Sequence, residues 1–294
     1  MEWKNRRIEA ILEQALVEDK ATSDVTTGLT VDPGLRAAAT ILAKEECVLS
    51  GLGCIPRFLD IFARLDTRNS GRYEVVSHPE IFDGVRLRKG QAVAVIRHNA
   101  RVILACERVI LNLMQRMSGI ATVTRRYVDA VADTGVRILD TRKTIPGLRI
   151  LDKYAVRCGG GENHRLDLSD GILIKNNHIS LGGGIEKVLT HAKERRKPGQ
   201  TIDIEVRNRE ELELALDFGA ESLLLDNMTP AEVKKAVGVV QDRGLDIPIE
   251  ASGGITLENV RKYALAGPDF ISVGSLTHSA PAVDLSMRIT AELY

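Results

Sequence analysis

Apolar positions recur at intervals of three and four residues near the start of the chain. The members of this stripe are Ile8, Ile11, Leu12, Ala15 and Leu16. Because residues at these intervals share one helix face, the spacing predicts a short amphipathic helix that packs on a core. A longer helical pattern extends from Glu107 to Asp133, is interrupted at Gly119, and is expected to carry the chain from one domain into the next.

Residues 35–103 show a different pattern, in which β-branched residues alternate in short runs between glycine-containing turns. This pattern is typical of strands and predicts a smaller, sheet-rich domain. We place the domain boundary near Asn112, so that one domain comprises 1–112 and the other 113–278. The C-terminal tail, 279–294, is a candidate to join the first domain.

Beyond Gly135, short apolar segments alternate with segments of helical periodicity. The strand candidates are 137–143, 171–178, 201–208, 222–227, 247–254 and 270–275. They are apolar throughout, which is typical of buried parallel strands, and the βα order predicts the α/β class. A (β/α) barrel is preferred over an open sheet, because polar side chains end every candidate strand and a barrel gathers its strand ends around one site.

The composition excludes several classes of protein. The chain has 294 residues with 40 Lys and Arg against 40 Asp and Glu, and this neutral balance argues against general nucleic-acid binding. No apolar run exceeds five residues, whereas roughly 20 are needed to span a bilayer, and the charged N-terminal stretch does not resemble a signal peptide. The four cysteines show no metal-binding or redox spacing. We therefore expect a cytoplasmic protein without nucleic-acid or membrane partners.

Candidate chemistry lies at the ends of the predicted strands. Arg142, Lys143 and Lys175 directly follow apolar segments, where a charge is costly unless it is paired or faces a site. Between residues 137 and 178, eight Lys or Arg stand against five Asp or Glu. This local surplus predicts an anion site, since arginine binds carboxylates and phosphates through two parallel hydrogen bonds. The contribution of Arg165 depends on the course of its loop.

The last two strand candidates end in small residues. These are Ser252, Gly253 and Gly254 on one strand, and Gly274 and Ser275 on the next. In barrels this corner binds phosphate through backbone N–H groups, so the sequence predicts a phosphate site here. Thr256 is the expected cap of the helix that follows the first group.

Glu205 and Asp226 are carboxylates at the ends of successive strands. Three functions stay open for them: binding Mg²⁺, accepting hydrogen bonds from ribose hydroxyls, or stabilising a developing positive charge. The alternative is that they only form ion pairs with Lys143 or Lys175.

The segments TRKTIPGLR, KYAVRCGGGENHR and LIKNNH resemble the quinolinate phosphoribosyltransferases, and so do IEVRN, LLLDNM, IEASGGI and VGSLTHSA further along. The resemblance covers essentially the full chain. It departs from the family pattern at Asn176, where an acidic residue is more usual, and at Ser23, where glycine is common. It implies an N-terminal α/β sandwich domain and a C-terminal open (β/α) barrel of six to seven parallel strands. It also implies a homodimer or higher oligomer whose active sites are shared between subunits.

The same resemblance implies an activity and a set of site residues. The reaction transfers the phosphoribosyl group of phosphoribosyl pyrophosphate to quinolinate with decarboxylation, giving nicotinate mononucleotide, pyrophosphate and CO₂ in de novo NAD biosynthesis. The implied quinolinate ligands are Arg142, Lys143, His164 and Arg165, with Arg108 of the neighbouring subunit, and Thr141 is assigned to substrate binding. The residues implied for phosphoribosyl pyrophosphate and Mg²⁺ are Lys175, Glu205 and Asp226, which with Lys143 form the catalytic group. The small residues at 252–254 and 274–275 would bind the 5′-phosphate.

Three other functions account for part of this pattern. A Schiff-base aldolase would use Lys175 as its imine-forming lysine, but it leaves the arginines and the phosphate corner unexplained. A non-catalytic anion- or nucleotide-binding protein and a nicotinate-using transferase are the remaining alternatives. One assay for CO₂ and nicotinate mononucleotide separates all of them.

Overall fold

The computed structural model describes residues 1–69 and 71–292, which form two compact units. The first unit comprises Met1–Val123, Thr144–Gly160 and the chain from Ser279 onward, and the second comprises Thr124–Lys143 and Gly161–His278. The predicted boundary near Asn112 therefore lies inside the first unit. One helix, Ala100–Ala130, continues through this position, and the division between the units at Val123 and Thr124 falls within the same helix.

The helices in the described residues are α1 (Arg6–Glu18), α2 (Val25–Thr30), α3 (Cys54–Leu65), α4 (Ala100–Ala130), α5 (Arg149–Cys158), α6 (Asn176–Gly182), α7 (Ile185–Arg195), α8 (Arg209–Asp217), α9 (Pro230–Asp242), α10 (Val260–Ala264) and α11 (Ser275–His278). The strands are β1 (Arg36–Ala43), β2 (Cys47–Val48), β3 (Glu74–Val76), β4 (Arg86–Leu87), β5 (Ala92–Asn99), β6 (Arg137–Leu139), β7 (Ile172–Ile174), β8 (Ile202–Val206), β9 (Ser222–Asp226), β10 (Ile249–Ser252), β11 (Phe270–Ser272) and β12 (Leu285–Ala291).

The first unit is built on an antiparallel sheet with the order β12-β1-β5-β3. Strand β1 alternates between half-buried and buried positions, so that small and aliphatic side chains such as Ala39 and Ile41 face the core. The C-terminal strand β12 pairs with β1 and belongs to this unit. Helix α3 interrupts the region predicted as mainly sheet, because CIPRFLDIFARL carries an apolar stripe at helical spacing.

Helix α4 is continuous through Gly119, where the sequence predicts an interruption. A Cβ at this position would collide with the backbone carbonyl of Pro281. Glycine is therefore present to let the C-terminal segment approach the helix closely, rather than to end the helix.

The second unit is built on a parallel sheet with the order β6-β11-β10-β9-β8-β7. All six strands predicted from the sequence are confirmed. Within the described residues, β6 and β7 form the two edges and do not pair with each other, so the barrel is open. A single parallel bridge between Leu139 and Glu162 extends the β6 edge.

The two faces of this parallel sheet differ in composition, which corrects the prediction that its strands are apolar throughout. One face, here called the apolar face, is fully buried and includes Ile204, Val206, Leu223, Leu225, Ala251 and Ile271. The opposite face, here called the polar face, carries Asp203, Glu205, Asp226, Glu250, Ser252 and Ser272. Side chains in register on neighbouring strands point the same way, so these polar groups share one surface.

Helix α10 is shorter than the sequence pattern predicts. Thr256 does not cap it: the helix begins at Val260, after a turn in which the side chain of Asn259 accepts from the Thr256 N–H at 2.8 Å. None of the helices described is both long and apolar enough to cross a membrane.

Candidate active site

Two carboxylates lie on the polar face near the ends of β8 and β9. Glu205 is 8% exposed, and Asp226 is half-buried. Burial raises the pKa of Glu205, the negative charge of Asp226 raises it further, and the positive charge of Lys175 lowers it. Glu205 is therefore a carboxylate that an additional cation would stabilise.

The segment after β7 contacts Glu205 through two side chains. Lys175 Nζ lies 3.9 Å from Glu205 Oε2, and Asn176 Nδ2 donates a 2.6 Å hydrogen bond to Glu205 Oε1. His178 Nδ1 accepts from the backbone N–H of Lys175 at 2.8 Å at the start of α6. His178 thus caps a helix and fixes the backbone that carries Lys175 and Asn176.

The loop after β10 has consecutive glycines in a left-handed conformation. Gly253 has φ +96° and Gly254 has φ +64°, and a Cβ at Gly253 would collide with the side chain of Asn227. Asn227 is itself left-handed, with φ +54°, and its N–H donates to the carbonyl of Ser252 at 2.8 Å. Successive backbone N–H groups in such turns form a concavity suited to an anion.

Lys143 lies against the second group of small residues. A Cβ at Gly274 would stand 3.2 Å from Lys143 Cδ. Thr277 Oγ1 donates to the Lys143 carbonyl at 2.8 Å, and the Lys143 N–H donates to Thr141 Oγ1 at 3.0 Å. An anion bound at Gly274 and Ser275 would therefore also meet a lysine.

The loop that follows Gly161 is held to the end of β6 by a fully buried carboxylate. Asp140 Oδ2 accepts from Asn163 Nδ2 at 2.6 Å, and Asp140 Oδ1 accepts from the backbone N–H of His164 at 2.8 Å. The bridge between Leu139 and Glu162 pairs the same loop with the strand. This loop therefore has a defined course, which the sequence left open.

The positive charges of Arg142 and Arg165 act on each other at this end of the sheet. Burial lowers the pKa of Arg165, and the positive charge of Arg142 lowers it further, while Asp203 and Asp170 act in the opposite direction. Two arginines close enough to repel each other are suited to a ligand that carries two negative charges. Asp203 is on the polar face two residues before Glu205, so the arginines and the carboxylates share one site.

Sequence reasoning missed two acidic residues of this site. Glu250 Oε2 lies 3.2 Å from His164 Nε2, and both groups lie near Asp203. Burial raises the pKa of Asp203. The available signal was the alternation within IDIEV and IEAS, which places Asp203 with Glu205 and Glu250 with Ser252.

Some predicted cations belong to the other unit. Arg149, Lys153 and Arg157 lie in the first unit, where Lys153 is buried. Arg108 is an exposed residue of α4 in the first unit. In the second unit's share of residues 137–178, five Lys or Arg stand against four Asp or Glu, so the surplus that the sequence predicts is smaller at this site.

Two family sequence models together match almost the whole chain. The sequence model of the quinolinate phosphoribosyl transferase C-terminal domain matches residues 120–288, and that of the N-terminal domain matches residues 24–118.

Individual relatives match over similar lengths. A probable nicotinate-nucleotide pyrophosphorylase [carboxylating] of Bacillus subtilis is 38% identical, covering 97% of this chain and 94% of the relative. The nicotinate-nucleotide pyrophosphorylase [carboxylating] of Mycobacterium leprae is 40% identical, covering 95% of each. The crystal structure of NadC from Streptococcus pyogenes superimposes with a TM-score of 0.90 at 35% identity, covering 99% of each chain.

Proposed function

Because this chain belongs to the quinolinate phosphoribosyltransferase family, we propose that it is a decarboxylating pentosyltransferase of de novo NAD biosynthesis. It transfers the phosphoribosyl group of phosphoribosyl pyrophosphate to quinolinate and releases pyrophosphate and CO₂, leaving nicotinate mononucleotide. The observation that carries this proposal is the polar face itself. Two arginines whose charges act on each other, two carboxylates that also do so, and left-handed glycines lie on this face or in the loops that follow its strands.

Quinolinate binds at the arginine end of this face. Its two adjacent carboxylates require two cationic groups at short separation, and Arg142 and Arg165 provide them. Lys143 supplies a third charge next to Gly274, and Arg108 of a neighbouring subunit completes the set. Thr141 and His164 lie beside these cations and orient the backbone that presents them.

Phosphoribosyl pyrophosphate binds at the carboxylate end, with its 5′-phosphate on the backbone N–H groups of 252–254 and 274–275. Glu205 and Asp226 fit a magnesium ion bound together with this substrate, because their mutual repulsion is relieved by a divalent cation. Mg²⁺ commonly uses one or two carboxylates and completes its shell with water and phosphate oxygens. The described residues contain no cluster of three or more His, Cys, Asp or Glu that could hold a metal ion. When bound, the ion would neutralise charge on the leaving pyrophosphate.

In the first step, opposite charges develop on the ribose and on the leaving pyrophosphate. The bond from ribose C1 to pyrophosphate breaks, and the pyrophosphate leaves with the electron pair. Lys175 stabilises this anion, while Glu205 and Asp226 stabilise the cationic ribose. The pyridine nitrogen of quinolinate then forms the new bond to C1.

Decarboxylation follows from the positive charge on that nitrogen. The bond between ring C2 and its carboxylate breaks, CO₂ leaves, and the electron pair stays on C2 beside the cationic nitrogen until a proton replaces it. No protein nucleophile takes part in these steps. The chain needs only to bind, orient and stabilise charge.

The direct test uses the purified protein with Mg²⁺, phosphoribosyl pyrophosphate and quinolinate labelled with ¹⁴C in the C2 carboxylate. We expect labelled CO₂ and nicotinate mononucleotide in equal amounts. Nicotinate in place of quinolinate is the control for a transferase that does not decarboxylate. Borohydride trapping of a carbonyl substrate on Lys175, without labelled CO₂, would instead support an aldolase.

A shared active site in a homodimer is tested separately by mixing subunits. Arg108→Ala and Lys175→Ala are each expected to be inactive, and refolding them together should restore activity by forming dimers with one intact site. A mixture that stays inactive, although it forms mixed dimers, contradicts the shared site. The cytoplasmic location stays a prediction.

A further inference from the structure

Both ring nitrogens of His164 have partners within the second unit. Nδ1 accepts from the backbone N–H of Arg165 at 2.8 Å, so it carries no proton. Nε2 therefore carries the proton of the neutral ring, and it lies 3.2 Å from Glu250 Oε2. If both ring nitrogens carried a proton, the Nδ1–H would face the backbone N–H of Arg165, and two donors would oppose each other. The geometry thus selects a neutral histidine that donates to Glu250.

Glu250 is an internal residue of the sheet. It is 9% exposed on β10 and is in register with Leu224 and Phe270 on the neighbouring strands. Its Oε1 is buried and has no hydrogen-bond partner among the described residues. Burying a carboxylate with one oxygen unpaired costs free energy of folding. We therefore expect the contact of Glu250 with His164 to serve a function that compensates for this cost.

From this arrangement we propose that Glu250 is a positioning residue for quinolinate binding. It holds the His164 ring, the ring holds the peptide N–H of Arg165, and this contact directs the Arg165 guanidinium at the substrate carboxylates. The proposal rests on the function proposed above and assigns His164 an indirect role in it.

The charge at this end of the site explains why such support is needed. Arg142 and Arg165 repel each other when no anion lies between them. Asp140 holds the loop through Asn163 and the His164 N–H. Glu250 holds it at a second point, through the imidazole. Held at both points, Arg165 stays in its binding position before the substrate arrives.

The first experiment separates the Michaelis constants of the two substrates. Glu250→Ala should raise the quinolinate KM about tenfold, the usual scale for losing a charge-assisted hydrogen bond. The KM for phosphoribosyl pyrophosphate should change less than about twofold. Glu250→Gln keeps an acceptor for Nε2–H and should retain a quinolinate KM within about threefold of wild type. Glu221→Gln, which removes the partner of Arg196 before β9, is the control and should change neither constant.

The second experiment reads the histidine directly in the wild-type protein. Long-range ¹⁵N–¹H NMR should show His164 protonated at Nε2 and unprotonated at Nδ1, with its signals assigned by their loss in His164→Gln. The opposite tautomer in the wild type overturns the proposal, even if no Glu250 variant folds. A loss of binding in Glu250→Gln equal to that in Glu250→Ala also overturns it.

A double-mutant cycle distinguishes positioning from a general effect on the fold. If Glu250 acts through His164, the effects of Glu250→Ala and His164→Ala on quinolinate KM should not add. Additive effects overturn the proposal. Titration with phthalate, a dicarboxylate of the same geometry without the ring nitrogen, tests the same cycle without turnover. If the wild type binds phthalate but releases no CO₂ from quinolinate, the proposed function fails while the phthalate cycle still decides the role of Glu250.

Discussion

Glu205 and Glu250 occupy equivalent positions in the parallel sheet, yet their surroundings are different. Each is in register with Leu224 on the strand between them, and both point to the polar face. Glu205 lies beside another carboxylate and contacts an exposed lysine and an asparagine. Glu250 contacts a histidine whose second nitrogen binds a backbone N–H. These surroundings fit the two roles proposed above, in which Glu205 meets charge on a substrate and Glu250 positions a loop of the protein.

This comparison teaches that burial and position in the sheet do not by themselves define a catalytic acid. What differs is the exposure of the partner side chain, and with it the access of a ligand to the pair. Lys175 has about half of its side chain exposed at 48%, whereas the side chain of His164 is 13% exposed. A carboxylate paired with an exposed lysine can exchange partners when a ligand binds.

The largest expected effect comes from removing Glu205, the carboxylate proposed to act in catalysis. Glu205→Ala should lower kcat by about 10²-fold or more, because it removes charge stabilisation that acts mainly in the transition state. The quinolinate KM should change little. Steady-state kinetics of both substrates measure this, with Glu213→Ala, an exposed acid paired with Arg209, as the control. An unchanged kcat together with a raised quinolinate KM would instead assign Glu205 to quinolinate binding.

A smaller effect is expected at the arginine end. Arg165→Lys keeps the charge but loses the second parallel hydrogen bond to a carboxylate, which should raise the quinolinate KM about tenfold. The kcat at saturating quinolinate should stay within about threefold of wild type. The matched control is Arg209→Lys, which alters an exposed ion pair on α8. Equal effects of Arg165→Lys on the KM of both substrates would contradict the proposal that the two substrates bind at separate ends of the site.

Asn176→Asp tests the neighbour of Glu205 through the pH dependence. The change replaces a donor to Glu205 Oε1 with a third carboxylate, and carboxylates that share one site raise the pKa of one of them. The acid limb of the kcat profile should therefore move to higher pH by about one unit. The control is Asn208→Asp, since asparagine and aspartate cap helices about equally well and Asn208 caps α8. An unchanged acid limb would show that Glu205 does not control it.

The smallest effect should come from Arg207, whose positive charge lowers the pKa of Glu205 from a distance. Because the proposed mechanism uses ionised Glu205, Arg207→Gln should raise the pH below which activity is lost by a few tenths of a unit, on the order of an exposed charge effect. High salt should remove the difference between wild type and variant. A shift that persists in high salt would point to a structural change instead of a charge effect.

Much of the second unit could be predicted from local pattern, because hydrophobic periodicity and strand-ending polar residues are properties of short segments. All six parallel strands are confirmed, and the open (β/α) architecture with them. The positions of Glu205, Asp226 and Lys175 at the ends of apolar runs predict that they lie together, and the structure places Lys175 and Asp226 near Glu205. Their functional roles stay predictions. Glu250 was missed, since it lies within an apolar strand and not at its end.

Other errors arose where distant segments meet. Gly119 indicated a break in a helix, although it is required because Pro281 approaches that helix. The charge count over 137–178 combined residues that fold into different units.

The sequence alone determined the class of fold, the order of strands along the chain and the residue types available to bind two anionic substrates. Local periodicity and the motifs carry this information within short segments. Only the tertiary structure decided which acids face each other, how the loop with Arg165 is held, and which partner each nitrogen of His164 takes. Those contacts join residues far apart in the chain, and their strength depends on burial and on neighbouring charges that no single segment contains.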